Sequence, residues 1–112
     1  LVVRNRVNDD RFPHSYCEVI MEGPTQPSWK EPHILIPVRH RCQFSWYCDG
    51  KSDLPTDSKT WMEAFRIAGM VLAFEYQDIT EGALWYHSDS VEPYWSKHLS
   101  LVTTIDNHLF YN

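Results

Sequence analysis

Asp57-Ser58-Lys59-Thr60-Trp61-Met62-Glu63-Ala64-Phe65-Arg66-Ile67-Ala68-Gly69-Met70-Val71-Leu72-Ala73-Phe74-Glu75 is the stretch on which the fold turns. Within it Trp61, Ala64, Phe65, Ala68 and Leu72 recur at i, i+3, i+4, i+7 and i+11, the spacing that lines side chains up on one face of an α-helix. Asp57 or Ser58 can cap its start, and Thr60 with Glu63 has the form of a capping box. The helix is expected to end near Glu75. Met62, Ile67, Val71 and Phe74 add apolar surface beside the stripe, which predicts a central helix with Trp61 and Phe65 in the core. On that reading, replacing either with Ala costs about 3–5 kcal/mol.

Working outward, Ala83-Leu84-Trp85-Tyr86-His87, Thr103-Thr104-Ile105 and His108-Leu109-Phe110-Tyr111 read as short strands. Val91-Glu92-Pro93-Tyr94-Trp95 is an aromatic-rich connection between them. Upstream, Pro24, Pro27, Pro32, Pro37 and Pro55 supply five of the seven prolines, so a long Pro-rich loop is expected over 24–56. Ile34-Leu35-Ile36 could add an edge strand to it. Ser15 and Glu18 form a capping box for a short helix over Tyr16–Met21, ended by Gly23-Pro24. Leu1-Val2-Val3 runs directly into Arg4-Asn5-Arg6-Val7, which reads as the last turns of a helix whose beginning lies outside the chain, stopped by Asn8-Asp9-Asp10. The plan is α+β: helices packed with a short antiparallel sheet or hairpin, in a single domain over 1–112.

A net charge of -5 argues against nucleic acid as a partner, since such binding needs basic groups to displace counterions. No run of about 18 apolar residues is present to span a membrane. Aromatic residues make up 14% of the chain, and rings with a polar edge suit surfaces that are half apolar and half wet, as sugar rings are. Cys17, Cys42 and Cys48 are an odd count, which allows three pairings with one thiol left over. A zinc site built on His40, Cys42 and Cys48 lacks the paired C-x2-C spacing of structural zinc, so neither metal nor cofactor is expected.

Cys42-Gln43-Phe44-Ser45-Trp46-Tyr47-Cys48-Asp49-Gly50, Gly82-Ala83-Leu84-Trp85-Tyr86-His87 and Asn107-His108-Leu109-Phe110-Tyr111 acquire meaning when read in order. Together with Asn5-Arg6-Val7, Arg11-Phe12-Pro13 and Pro93-Tyr94-Trp95, they resemble the SleB/CwlJ cell wall hydrolase family over almost the whole chain. The resemblance implies a lysozyme-like domain acting on peptidoglycan glycan strands, at the cell wall in the periplasm or outside the cell, in a bacterial or phage lysin setting. It further implies a lytic transglycosylase that cleaves between N-acetylmuramic acid and N-acetylglucosamine and leaves a 1,6-anhydro end. The alternative is an inactive glycan-binding or structural module of a phage particle or wall assembly.

In that family a single glutamate, in a Glu-Ala-Arg-Gly-Glu-like motif ahead of the Asn-Arg-Val segment, acts as acid and then base. Glu18, Glu22, Glu63, Glu75, Glu81 and Glu92 do not lie in such a motif, so the catalytic residue is expected upstream of Leu1 and these residues alone are expected to be inactive. Of the six, Glu75 and Glu81 are the only candidates to stand in for it.

The remaining candidates are substrate-binding residues: Gln43, Ser45, Tyr86, His87, Trp95 and His108. An extended Gln43-Phe44-Ser45 would put Gln43 and Ser45 on one face, opposite Phe44, for hydrogen bonds to acetamido or hydroxyl groups or to the loop's own backbone. Of Tyr86 and His87, neighbours on a strand, one is expected to point inward. His87 either contacts substrate or satisfies a loop carbonyl. Trp95 either stacks on a sugar or fills the core. His108 alternates with Phe110, and either contacts substrate or ties the last strand to the body.

Overall fold

In the computed structural model, which describes residues 1–112, helix α1 (Val2–Val7) buries Val2, Arg4 and Arg6 and packs on α2 (Tyr16–Ile20). Asn8 stops α1, its side-chain amide donating to the Arg4 carbonyl at 3.0 Å. Ser15 caps α2 as expected, its hydroxyl oxygen accepting from the Glu18 amide at 3.2 Å. Val19, on α2, is the one large side chain that is wholly enclosed.

The Pro-rich stretch is more ordered than a loop. Strands β1 (Thr25–Pro27) and β2 (Leu35–Pro37) pair antiparallel, with Gln26 opposite Ile36, as an exposed two-stranded ribbon. A 3-10 turn over Ser45–Cys48 follows, carrying buried Cys48, with buried Phe44 as its N-cap. Cys42 and Cys48 are joined by a disulfide and Cys17 is free and exposed. Both thiolates of the His40, Cys42, Cys48 alternative are therefore spent on each other.

Helix α3 (Ser58–Leu72) departs furthest from expectation. Asp57 wins the competition to cap it: its carboxylate accepts from the Lys59 amide at 3.0 Å and from the Thr60 hydroxyl at 2.7 Å, which leaves Glu63 to pair with Arg66. The helix ends at Leu72 rather than Glu75, because Phe74 turns into the left-handed region at φ 58°. That turn places the Phe74 ring under the Arg4 guanidinium, 5.0 Å away, within cation–π range.

No residue of α3 is buried, so it is not the central helix. Trp61 is 49% exposed and Phe65 68%, and their rings lean on each other at 6.1 Å. The side turned to the body carries half-buried Ile67, Met70 and Val71, about a third of a turn from the Trp61 stripe. With two apolar sides the periodicity identified the helix and picked the wrong face. Trp61→Ala and Phe65→Ala are accordingly expected to cost under about 1 kcal/mol each in thermal or urea unfolding. A loss of several kcal/mol would show that the stripe is covered in solution. Standing off in this way, α3 helps raise the radius of gyration to 15.7 Å, above the ~13 Å of a compact chain this long.

The C-terminal half is a three-stranded antiparallel sheet of order β3-β5-β4, with β3 (Trp85–Ser88), β4 (Leu101–Ile105) and β5 (His108–Tyr111). β4 and β5 form a hairpin through Asp106 and Asn107, with a register shift between Leu101 and Thr103. Pairing of Trp85 with Tyr111 and Tyr86 with Phe110 puts Trp85, His87, Leu109 and Tyr111 on one face and Tyr86, Ser88, His108 and Phe110 on the other. The α+β plan holds, with few helices and small sheets. A second 3-10 turn, Tyr94–His98, bridges β3 and β4.

Candidate functional site

β3 is an edge strand, so residues from both of its faces reach the space beside it. Across that space lies the Ser45–Cys48 turn. Between them is a groove of about 370 Å³ lined by Arg6, Gln43, Phe44, Ser45, Trp46, Trp85, Tyr86, His87, Ser88, Val91, Trp95 and His108. All six residues singled out from the sequence line it together. The edge position explains how Tyr86 and His87, on opposite faces of the sheet, share one groove.

The floor is Arg6. Only 2% exposed, it donates from Nε to the Leu84 carbonyl at 2.7 Å. Its guanidinium lies 4.8 Å from the Phe12 ring centre, 5.2 Å from Phe44 and 5.9 Å from Trp85. Burial pulls its pKa down, while the Glu22 carboxylate and Tyr86 raise it. Nη1 is shut off from solvent without a hydrogen-bond partner. Trp85 also meets the Arg11 guanidinium, 5.7 Å from its ring centre. Side-chain and backbone hydrogen bonds from Arg11 hold Asp9 down to about 2, so the pair stays ionised through the ordinary pH range.

The walls are aromatic. Phe44 lies 5.9 Å from Trp46 and 6.4 Å from Tyr86, which stacks on Phe110 at 5.8 Å and meets His108 at 6.1 Å. His87 spends both ring nitrogens inside the protein. The Ser88 carbonyl, 2.7 Å from Nδ1, can only accept, so Nδ1 carries a proton; in the neutral ring Nε2 then accepts from the Tyr111 hydroxyl at 2.8 Å. The carbonyl that His87 satisfies is that of the last residue of β3 rather than of a loop, and its ring forms part of the wall. Trp95 stands nearly perpendicular to His87 and Tyr111, 5.6 and 5.7 Å away, so both rings brace its indole at the groove's end.

The Gln43-Phe44-Ser45 run is not extended throughout. The 3-10 turn begins at Ser45 and brings Trp46 round to the groove, so Phe44 does not point away from it as alternation predicted. Arg6, Phe44, Trp46, Trp85, Ser88 and Val91 are the lining residues the sequence reading missed. Trp46 escaped it because period-2 logic cannot place a residue in a three-per-turn helix.

The chemistry of this lining is specific in what it offers. Amide, hydroxyl and imidazole groups sit among flat aromatic faces, with no Asp or Glu among the lining residues. Glu75 and Glu81, the candidate stand-ins, are exposed and do not line it. Such a surface can stack and hydrogen-bond a sugar, but it holds no proton donor of carboxylic type. No cluster of three or more His, Cys, Asp or Glu side chains is arranged to hold a metal ion. No helix is long and apolar enough to cross a membrane.

Comparison with known families gives one result: the family model described as Cell Wall Hydrolase matches residues 1–111. No curated protein and no solved structure matches.

Proposed function

Because the chain belongs to the Cell Wall Hydrolase family, whose activity is directed at peptidoglycan, we propose that its groove binds glycan strands for cleavage as a lytic transglycosylase of lysozyme-like type. The observation that carries the reading is the convergence of Gln43, Ser45, Tyr86, His87, Trp95 and His108 on one aromatic groove. Trp95 and Trp46 would stack on pyranose faces. Gln43 and Ser45 would hydrogen-bond acetamido and hydroxyl groups, and His87, with both nitrogens engaged, would hold Trp95 in place rather than touch the reacting atoms.

Cleavage between N-acetylmuramic acid and N-acetylglucosamine needs a group that protonates the glycosidic oxygen and then takes the proton from the sugar's 6-hydroxyl. One glutamate can do both, unlike the two-carboxylate scheme of most glycosidases. We place that glutamate on chain preceding Leu1; the carboxylate-free lining supports this. The same lining supports a second reading, a module that grips glycan without cutting it.

The test uses murein sacculi. Residues 1–112 should bind them without releasing fragments, and Trp95→Ala should weaken binding about tenfold, ~1.4 kcal/mol. The chain extended through its preceding segment should release muropeptides with 1,6-anhydro ends, read by mass spectrometry. Reducing ends would exclude the transglycosylase, and binding without release would establish the second reading. Failure to bind at all would overturn both.

A further inference from the structure

Helix α3 is built inside out. At ~100° per residue, the side opposite Ile67, Met70 and Val71, which face the body, carries Ser58, Trp61, Met62, Phe65, Gly69 and Leu72. The four large side chains of that set are each about half exposed or more. No charge lies among them: Lys59, Glu63 and Arg66 gather on one flank, where Glu63 pairs with Arg66 at 2.6 Å. A depression along this surface is lined by residues of α3 alone, so no other part of the chain reaches over it. A surface helix normally turns charge to water, and an exposed apolar patch of this extent marks a place where something docks.

The face complements itself. Its N-terminal half is bulky, with Trp61, Met62 and Phe65, and its C-terminal half offers Ala68 and Gly69. A Cβ built on Gly69 meets nothing within 4 Å, so space for an incoming ring is open there. Laid antiparallel on a second α3 about a two-fold near Ala64 and Phe65, Trp61 falls over the partner's Gly69 and Leu72 over the partner's Ser58. The same register sets Glu63 beside the partner's Arg66, on the flank that the two copies then share. Trp61 with Gly69, Ser58 with Leu72 and Glu63 with Arg66 have the same midpoint to within one residue, so one register satisfies bulk and charge together. A parallel pair would set Glu63 against Glu63 and Trp61 against Trp61.

We infer that α3 is the contact surface of a two-fold symmetric dimer of this chain. Such an interface uses the same patch on both copies, which is why self-complementarity decides it. The four large side chains present on the order of 500 Å², and with their flanks they approach the ~800 Å² per partner of a standard interface. A contact at that lower limit gives a dimer of micromolar strength, so unfolding followed well below that concentration still reports the monomer with its stripe bare. Ion pairs this exposed fix orientation more than affinity. No residue of α3 lines the groove, so the dimer contact does not consume it, and the inference stands independently of the glycan reading.

The experiment is sedimentation equilibrium of the 112-residue chain from low-micromolar to near-millimolar concentration. The mass should rise from 13.3 kDa toward twice that value and stop there. Gly69→Gln has room in the monomer and suits a helix better than glycine, so it should keep the monomer's thermal stability. It should weaken the dimer about thirtyfold, because it fills the space that the partner's Trp61 needs. Glu63→Arg should weaken the dimer about tenfold, and Glu63→Arg combined with Arg66→Glu should restore it. A monomer at every concentration, association that continues past the dimer, a dimer untouched by Gly69→Gln, or a double reversal no tighter than Glu63→Arg alone overturns the inference. A chain that stays monomeric yet adsorbs to phosphatidylglycerol vesicles also overturns it and assigns the face to a lipid surface. A dimer of the 112 residues that is lost when the chain is extended through its preceding segment overturns it in favour of that segment.

Discussion

Arg6→Met is expected to destabilise the chain by about 2 kcal/mol, and Arg6→Ala by about 4. Methionine nearly matches the arginine stem in volume, so the first variant isolates the charge and its hydrogen bond. Removing Nε leaves the buried Leu84 carbonyl without its 2.7 Å donor, a loss of about 1–3 kcal/mol. The ring contacts to Phe12, Phe44 and Trp85 add about 1–2 kcal/mol in a desolvated setting. Against this, deleting the charge relieves its desolvation and the unpartnered Nη1, and buried ions replaced by apolar groups are sometimes neutral or stabilising. The hydrogen bond and three rings outweigh that return here. Alanine adds a cavity beneath Phe44 and Trp85 and so costs more. Urea unfolding of both variants checks the sign. Arg6→Met at or above wild-type stability would show that the guanidinium is a net burden retained for the groove. In either event, sacculi binding should fall with Arg6→Ala, because the floor of the groove goes with it.

Arg6 also shows where reading the sequence stops. Hydropathy places arginines at the surface, and nothing in Asn5-Arg6-Val7 announces a side chain enclosed by Phe12 nearby and by Phe44 and Trp85 from two distant segments. Short-range signals fared better. Ser15 caps α2, Asn8 ends α1, and the alternation of His108 with Phe110 matches the faces of β5. Those features depend on residues within a few positions of each other. The pairing of Cys42 with Cys48, the face that α3 turns inward and the swing of Trp46 into the groove depend on a turn or on packing that local spacing does not encode. The groove was legible through its ordered motifs.

Asp78→Ala should cost about 3 kcal/mol at neutral pH, and Asp78→Asn nearly as much. The carboxylate organises the turn that leads into β3. One oxygen accepts from the Asn5 amide at 3.0 Å and the Gly82 N–H at 2.8 Å; the other accepts from the Thr80 N–H at 2.9 Å and from the Thr80 hydroxyl. Asn5 also donates to the Ala83 carbonyl at 3.0 Å, so α1 and the start of β3 are tied through one cluster. Every group facing Asp78 is a donor, and an asparagine would turn its own NH2 toward some of them, which is why the near-isosteric change is not conservative. Burial alone would raise the Asp78 pKa, yet the hydrogen bonds from Thr80, Gly82 and Asn5 outweigh it and leave it below the ordinary 3.8. A carboxyl lowered in the folded state contributes stability that is complete above its unfolded value and is lost as pH falls through the folded one. The gap between wild type and Asp78→Ala should therefore be widest near neutrality and shrink below about pH 3.8. Urea midpoints measured from pH 7 to pH 2 report this directly. A gap that stays constant to pH 2 would mean that Asp78 acts by shape alone, and an Asp78→Asn protein as stable as wild type would mean that its acceptors carry no weight. Since the same cluster sets where β3 begins, and β3 forms one wall of the groove, acid should loosen glycan binding over the window in which it loosens the fold.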